Sequence, residues 1–231
     1  MPTTYNFLKA LERLDSRIKV ANDPELKYLP SIPRFEDCGA QNTFLVYGTV
    51  VSVRFDISDD ATGLNYATEE KALACYASEV CEVFRSNVSC RDIIVNNQSI
   101  TSFFSTSLKT EVNEVIDDLA RAKTLAMVIE KKIGIKRNTL KVKIAASYGK
   151  LSMSVVENRA SYKQYLWRGD ALTQALKMSN DAEFEFILIN KVIWNNLTEN
   201  NQKLFHLVSI FDETYEGKIV NIAMNNWLDT K

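Results

Sequence analysis

The chain has 231 residues, with 28 Lys and Arg against 29 Asp and Glu, a formal charge of -1 and 46% hydrophobic residues. That balance excludes a global basic field for nucleic acid or anionic lipid, while the apolar share suffices for a sizeable core. Seven glycines with no GxGxxG or GxxxxGK exclude the common phosphate loops, and the single histidine, His206, excludes a His-ligated zinc site.

Apolar residues at Phe7, Leu8, Leu11, Leu14 and Ile18 predict a helix over 5–19, and Pro24, Pro30 and Pro33 predict an extended connector up to about residue 42. The stretch Phe44–Asp60, FLVYGTVVSVRFDISDD, then reads as one long strand rich in β-branched residues. It delivers Asp56, Asp59 and Asp60 to its carboxyl end. Such an end either receives a metal or charged ligand or is a solvated strand-to-helix turn. The alanine-rich run up to Ser86 repeats apolar residues at three to four and predicts a helix. Residues 88–96 and 99–105 predict two strands, turned into a hairpin at Asn96, Asn97 and Gln98.

Residues 109–132 predict a long helix stopped at Gly134. Residues 140–148 alternate as a strand, and Gly149 is expected to turn it into 151–157 as a second hairpin. A loop over 158–168, a short helix Asp170–Ser179 opened by Gly169, and a strand FEFILIN ending near Asn190 follow. The remainder predicts a helix over Val192–Asn200, a hydrophobic stretch from Phe205 to Phe211 with His206 in a helical setting, and a closing amphipathic segment. This order is α+β: a ferredoxin-like antiparallel sheet with antiparallel pairs covered by helices on one side, and short helical extensions at either end. Residues 1–41 divide off as helix and connector, and 42–231 as the main domain. Cys38, Cys75, Cys81 and Cys90 show no CxxC spacing, the N-terminus has no signal-type apolar core, and no stretch approaches the ~20 apolar residues that span a bilayer. A reduced, cytoplasmic protein with neither nucleic-acid nor membrane partners is expected.

A strand ending in FDI, the string KIAASYGKLSM, the helix start GDALTQALK, and the tail strings NNLTENNQKLF and NNWL occur in an order that resembles the class III nucleotide cyclase catalytic domain. Within that family they are most similar to the pyrimidine cyclases of bacterial Pycsar antiphage systems, over roughly residues 42–228. The resemblance implies a head-to-tail homodimer with shared active sites and Mn²⁺ or Mg²⁺ as cofactor. It implies Asp56 as metal carboxylate, the Ile57 carbonyl as a further ligand, and Phe55 beside them at the nucleotide. The family's second metal carboxylate falls on Gln98, its ribose-orienting asparagine on Thr173 and its phosphate-stabilising arginine on Lys177. The pair that reads a purine base falls on Ile94 and Leu166, both apolar.

Asp59, Asp60 or Asp92 stand as sources of a replacement carboxylate. Arg168 is assigned to the phosphates, with Arg91 and Lys150 as further cations. The implied function is a pyrimidine nucleotide cyclase making cUMP from UTP in antiphage defence, for a membrane or TIR effector. The alternatives are a catalytically degenerate cyclase-like protein, acting as nucleotide sensor or partner subunit, and an α+β scaffold unrelated to nucleotides.

Overall fold

The computed structural model describes residues 9, 11–12, 14–15, 26–38, 43–58, 64–157, 163–184, 186–210 and 212–229. Its centre is β2 (Thr43–Ile57), whose Val46 and Val50 point to one face and Val51, Val53 and Phe55 to the other, all buried. A strand apolar on both faces needs cover on both. Helices supply it. On one face, α1 (Tyr66–Ser86) and α2 (Lys109–Ile133) pack on the sheet through Tyr76, Val80, Phe84, Val115, Ile116 and Leu119. On the other, α3 (Asp170–Asp181) packs through Ala171 and Ala175, together with the connector residues Ile32 and Cys38. The expectation of helices on one side therefore gives way to a sheet covered on both.

Local chemistry sets the helix ends. Asn65 caps α1 by accepting from the Thr68 amide at 2.9 Å. The Glu111 carboxylate accepts from the Ser107 and Leu108 amides at 2.6 and 2.9 Å, and Gly134, at φ 78°, ends α2.

The strands are β1 (Leu26–Tyr28), β2, β3 (Cys90–Asn96), β4 (Ser99–Phe104), β5 (Leu140–Glu157), β6 (Lys163–Arg168), β7 (Ile187–Asn190), β8 (Phe205–Ser209) and β9 (Thr214–Gly217). The sheet runs β3-β4-β2-β5-β7-β9-β8, with β1 alongside β2 and β6 alongside β5. It is antiparallel except that β1 pairs parallel with β2 and β7 parallel with β5. The β5–β7 connection runs through β6 and α3, a crossover of the kind that parallel neighbours require.

Several boundaries differ from the sequence expectation. Gly149 is not a turn: β5 continues through it, paired with β2 from Thr43↔Ser154 to Ile57↔Leu140. A Cβ at Gly149 would lie 3.4 Å from the Ala171 Cβ, an ordinary contact at the place where α3 packs on β5. The supposed loop contains β6, whose Trp167 stacks on Phe103 at 4.1 Å. The helix expected over Val192–Asn200 is two, α4 (Lys191–Asn196) and α5 (Glu199–Gln202), because Thr198 caps a new start. His206 lies on β8, exposed, with its Nε2 2.8 Å from Glu216. The chain closes in α6 (Ile222–Asp229), which lays Trp227 under the Lys131 and Lys132 ammonium groups.

Of the helix expected over 5–19, Lys9, Leu11, Glu12, Leu14 and Asp15 are described, as helical and exposed. No helix among the described residues is long and apolar enough to cross a membrane.

Candidate active site

The site begins with register. Asn97, at φ 47°, makes the tight β3–β4 turn in the left-handed region that asparagine tolerates, so Ser99 pairs with Arg54 of β2. The next residue out, Gln98, then lies beside Asp56. Its carbonyl accepts from the Phe55 amide at 3.0 Å, and its Nε2 donates to Asp56 Oδ1 at 3.0 Å. The Ile57 amide donates to the same oxygen at 2.8 Å. The structure thus joins the two positions where the resemblance places the metal carboxylates.

On the other flank of β2, Asp56 pairs with Lys141 and Arg54 with Lys143, so four charged side chains share one face. They line a cavity of about 250 Å³ with Gln98, Asn180 and Phe184. Asn180 of α3 binds the cations: its side-chain oxygen accepts from Arg54, and its backbone carbonyl accepts from Lys143 Nζ at 3.0 Å. One carboxylate among three cations leaves the described lining of this cavity with an excess of positive charge. Arg54, Lys141, Lys143 and Asn180 are what sequence reasoning missed, although the alternation Lys141-Val142-Lys143 shows two cations on one strand face.

Phe55 is among the residues that line this cavity, but its ring turns away from it. It is 3% exposed and packs on Tyr76 at 5.2 Å between ring centres, on the opposite face of β2. Asp92 serves elsewhere. It accepts from Trp167 Nε1 at 2.7 Å, and burial pushes its carboxyl above the usual range, against the opposing pull of that bond. Its place on β3 is about 13 Å from Asn96 at the hairpin end, by the ~3.3 Å rise of a strand. Asp59 and Asp60 lie outside the described residues. Arg91 donates to the carbonyls of Val88 and Ile32 and ties down the connector, and Lys150 is exposed on β5.

Thr173 and Lys177 gather in a different cavity, of about 430 Å³, with Asp170, Gln174, Asp212 and Glu216. Thr173 Oγ1 donates to the Gly169 carbonyl at 3.2 Å, while Lys177 Nζ lies 3.0 Å from Asp212 Oδ2, a bond that raises the lysine pKa. Within one chain these residues do not meet Asp56. Arg168 is exposed at the end of β6, and Ile94 and Leu166 are 41% and 46% exposed on β3 and β6.

Among the described residues an ion at Asp56 would find one carboxylate and the Gln98 amide, beside the Ile57 carbonyl that the resemblance implies. Among the described residues no group of three or more His, Cys, Asp and Glu is placed to hold a metal. That set fits one hard ion, because Mg²⁺ keeps several waters and binds through one or two carboxylates plus substrate phosphates. The described residues do not fit two. Gln98→Asp is therefore expected to tighten Mn²⁺ binding about tenfold, measured by calorimetry, by adding charge beside Asp56; an unchanged isotherm would mean that position 98 does not face the ion.

No family model matches the chain. It is 22% identical over 231 residues to a uridylate cyclase of Treponema porcinum, covering 96% of this chain and 78% of that one. A uridylate cyclase of Gulbenkiania mobilis is 21% identical over 258 residues, with 98% and 96% covered. The crystal structure of the adenylyl cyclase CyaB from P. aeruginosa superposes with a TM-score of 0.59 at 11% identity, over 77% of this chain and 97% of that one. A class III adenylyl cyclase-like ATP-binding protein from Pseudomonas aeruginosa gives 0.65 at 13% identity, over 94% and 48%. The chain is thus a sequence relative of uridylate cyclases, built on the fold of the class III nucleotide cyclase domains.

Proposed function

We propose that this chain is a nucleotide cyclase that joins the ribose 3′-hydroxyl of UTP to its α-phosphate and releases pyrophosphate, giving cUMP. The observation that carries this reading is the cavity at the end of β2, where Asp56 sits among Arg54, Lys141 and Lys143 on a cyclase fold. Ring closure needs a polyanion neutralised and a hydroxyl made ready to attack. A single Mn²⁺ or Mg²⁺ at Asp56 supplies Lewis-acid charge there when bound.

Lys141, Lys143 and Arg54 bind the outgoing phosphates. Arg54 offers a planar fork and the lysines offer point charges. UTP is favoured by the two uridylate cyclase relatives, and the apolar Ile94 and Leu166 present no charge to a purine edge. In this reading cUMP serves as a diffusible antiphage signal, as in the systems the strings resemble.

The second half of the chemistry comes from a second copy. Thr173 and Lys177 line a cavity separate from that of Asp56, so a head-to-tail homodimer is the arrangement that assembles both sets. There the Thr173 hydroxyl orients the ribose and Lys177 stabilises the negative charge on the α-phosphate. Lys177 must first leave Asp212. Both partners are more than half exposed, and such pairs are worth about 0–1 kcal/mol, so the exchange is cheap. A second reading, a cyclase-like domain that binds nucleotide without turnover, is favoured by Gln98, Thr173 and Lys177, each a different residue type from its family counterpart.

The two separate in one assay. Protein with Mn²⁺ and each of the four NTPs should release pyrophosphate and a cyclic product from UTP, whereas binding of UTP without any turnover selects the second reading. The shared site has its own test. Asp56→Ala and Lys177→Ala should each be inactive alone, and an equal mixture should recover about a quarter of wild-type activity, since half the dimers then carry one intact site of two. No recovery on mixing excludes the shared site.

A further inference from the structure

The Asp56 cavity has a larger neighbour of about 710 Å³, a volume in the range of small-molecule sites. Five cationic side chains reach it from four parts of the chain: Lys123 on α2, Arg137 in the α2–β5 turn, Lys141 and Lys143 on β5, and Lys218 after β9. Its floor is apolar, formed by Met127, Val142 and Ile219 among others.

Three acids share the lining, but they do not cancel the cations. Glu130 is 2% exposed and its carboxylate is committed to closing the turn, accepting from the Leu140 and Asn138 amides at 2.7 and 3.1 Å. Those bonds to neutral amides leave its charge in place beside Arg137, so the lining carries five cationic groups against three carboxylates, Glu130, Asp181 and Glu183, a net charge of +2. Like charges gathered in a concavity repel one another, and an anion relieves that repulsion. Several of the cations are held in place. Lys143 donates to the Asn180 carbonyl, Lys123 to the Val142 carbonyl at 3.3 Å, and Lys218 lies over the Phe186 ring at 4.8 Å.

We propose that this cavity is a second ligand site, for a mononucleotide: one compact phosphate on an apolar, hydroxyl-bearing body. The phosphate is held by Arg137 and Lys218 with the β5 lysines, the body covers the Met127, Val142 and Ile219 floor, and the ribose hydroxyls donate to Asp181 and Glu183. A single phosphate matches the net charge of the lining better than a triphosphate does. The site does not depend on the cyclase reading, although it shares Lys141 and Lys143 with the cavity at Asp56. Its wall of Lys141, Phe184 and Lys143, with both ammonium groups 5.0–5.2 Å from the ring centre, is common to the two cavities.

The test is calorimetric titration of the full chain with AMP, UMP and inorganic phosphate. Saturable binding of a mononucleotide below about 1 mM, with free phosphate weaker, is expected. Arg137 and Lys218 are exposed, so R137A/K218A should melt as the wild type does and bind at least about tenfold more weakly. Asp56→Ala should bind as the wild type, since Asp56 lines the other cavity alone. No saturable binding, wild-type affinity in R137A/K218A, or a loss in Asp56→Ala equal to that in R137A/K218A overturns the proposal, the last by placing the nucleotide at Asp56.

Discussion

Asp56→Ala is expected to lower UTP turnover by about 10³-fold or more while moving the melting temperature by less than about 2 °C. The two numbers come from different parts of the same geometry. A group that holds catalytic charge contributes several kcal/mol to the transition state, and each ~1.4 kcal/mol is tenfold in rate. By contrast, Asp56 is exposed, and the groups it frees, the Gln98 amide and the Ile57 N–H, can turn to water. Exposed substitutions of this kind stay within about 0.5 kcal/mol. Asp56→Asn sharpens the comparison, since it keeps an acceptor for Gln98 and loses the charge. Wild-type turnover in the asparagine protein would remove Asp56 as the holder of an ion.

Gly169→Ala is expected to destabilise the fold by about 3 kcal/mol or more and to abolish the contribution of the α3 residues. Gly169 has φ 132° and ψ 171°, a backbone region that glycine alone adopts readily and that costs other residues about 1–3 kcal/mol. The added methyl also meets backbone atoms, the Lys150 oxygen at 2.5 Å and the Leu151 Cα at 2.9 Å. Neither can move aside as a side chain would, so the start of α3 must lift from β5. At 2–4 °C per kcal/mol for a chain of this size, the melting temperature should fall by about 10 °C. Displacing Thr173 and Lys177 by about 1 Å would by itself cost about 10²-fold in turnover. A Gly169→Ala protein that melts with the wild type would show that the α3 start accommodates a side chain.

The elements with one strong local period were legible in the sequence. The β2 strand, α1, the hairpin at Asn97-Gln98 and α2 are each dictated by spacing and end signals within a few residues, and Asp56 and Gln98 follow once that hairpin is drawn. What escaped depends on distant partners. Gly149 resembles a turn until its pairing with Gly48 on β2 shows the strand running through it. The strand β6 alternates Tyr165 and Trp167 with exposed neighbours, but only Phe103 and Asp92, far away in sequence, give Trp167 its place. The cations of the site are of this second kind. Lys141 and Lys143 join Asp56 and Arg54 through the β2–β5 register, which a side-chain pattern alone does not specify.

The uninterrupted β2–β5 ladder also works as a ruler. Asp56 pairs with Lys141 at one end, and Gly48 pairs with Gly149 further along, where α3 is seated and Thr173 begins its turn of helix. By the strand rise these stations stand about 26 Å apart along β2. In the head-to-tail pair proposed above, Asp56 of one copy is to meet Thr173 of its mate, so this span bears on how far apart the two composite sites would lie. A bulge or an inserted pair of residues between Gly48 and Asp56 would leave every side chain of both stations intact and still put them out of step.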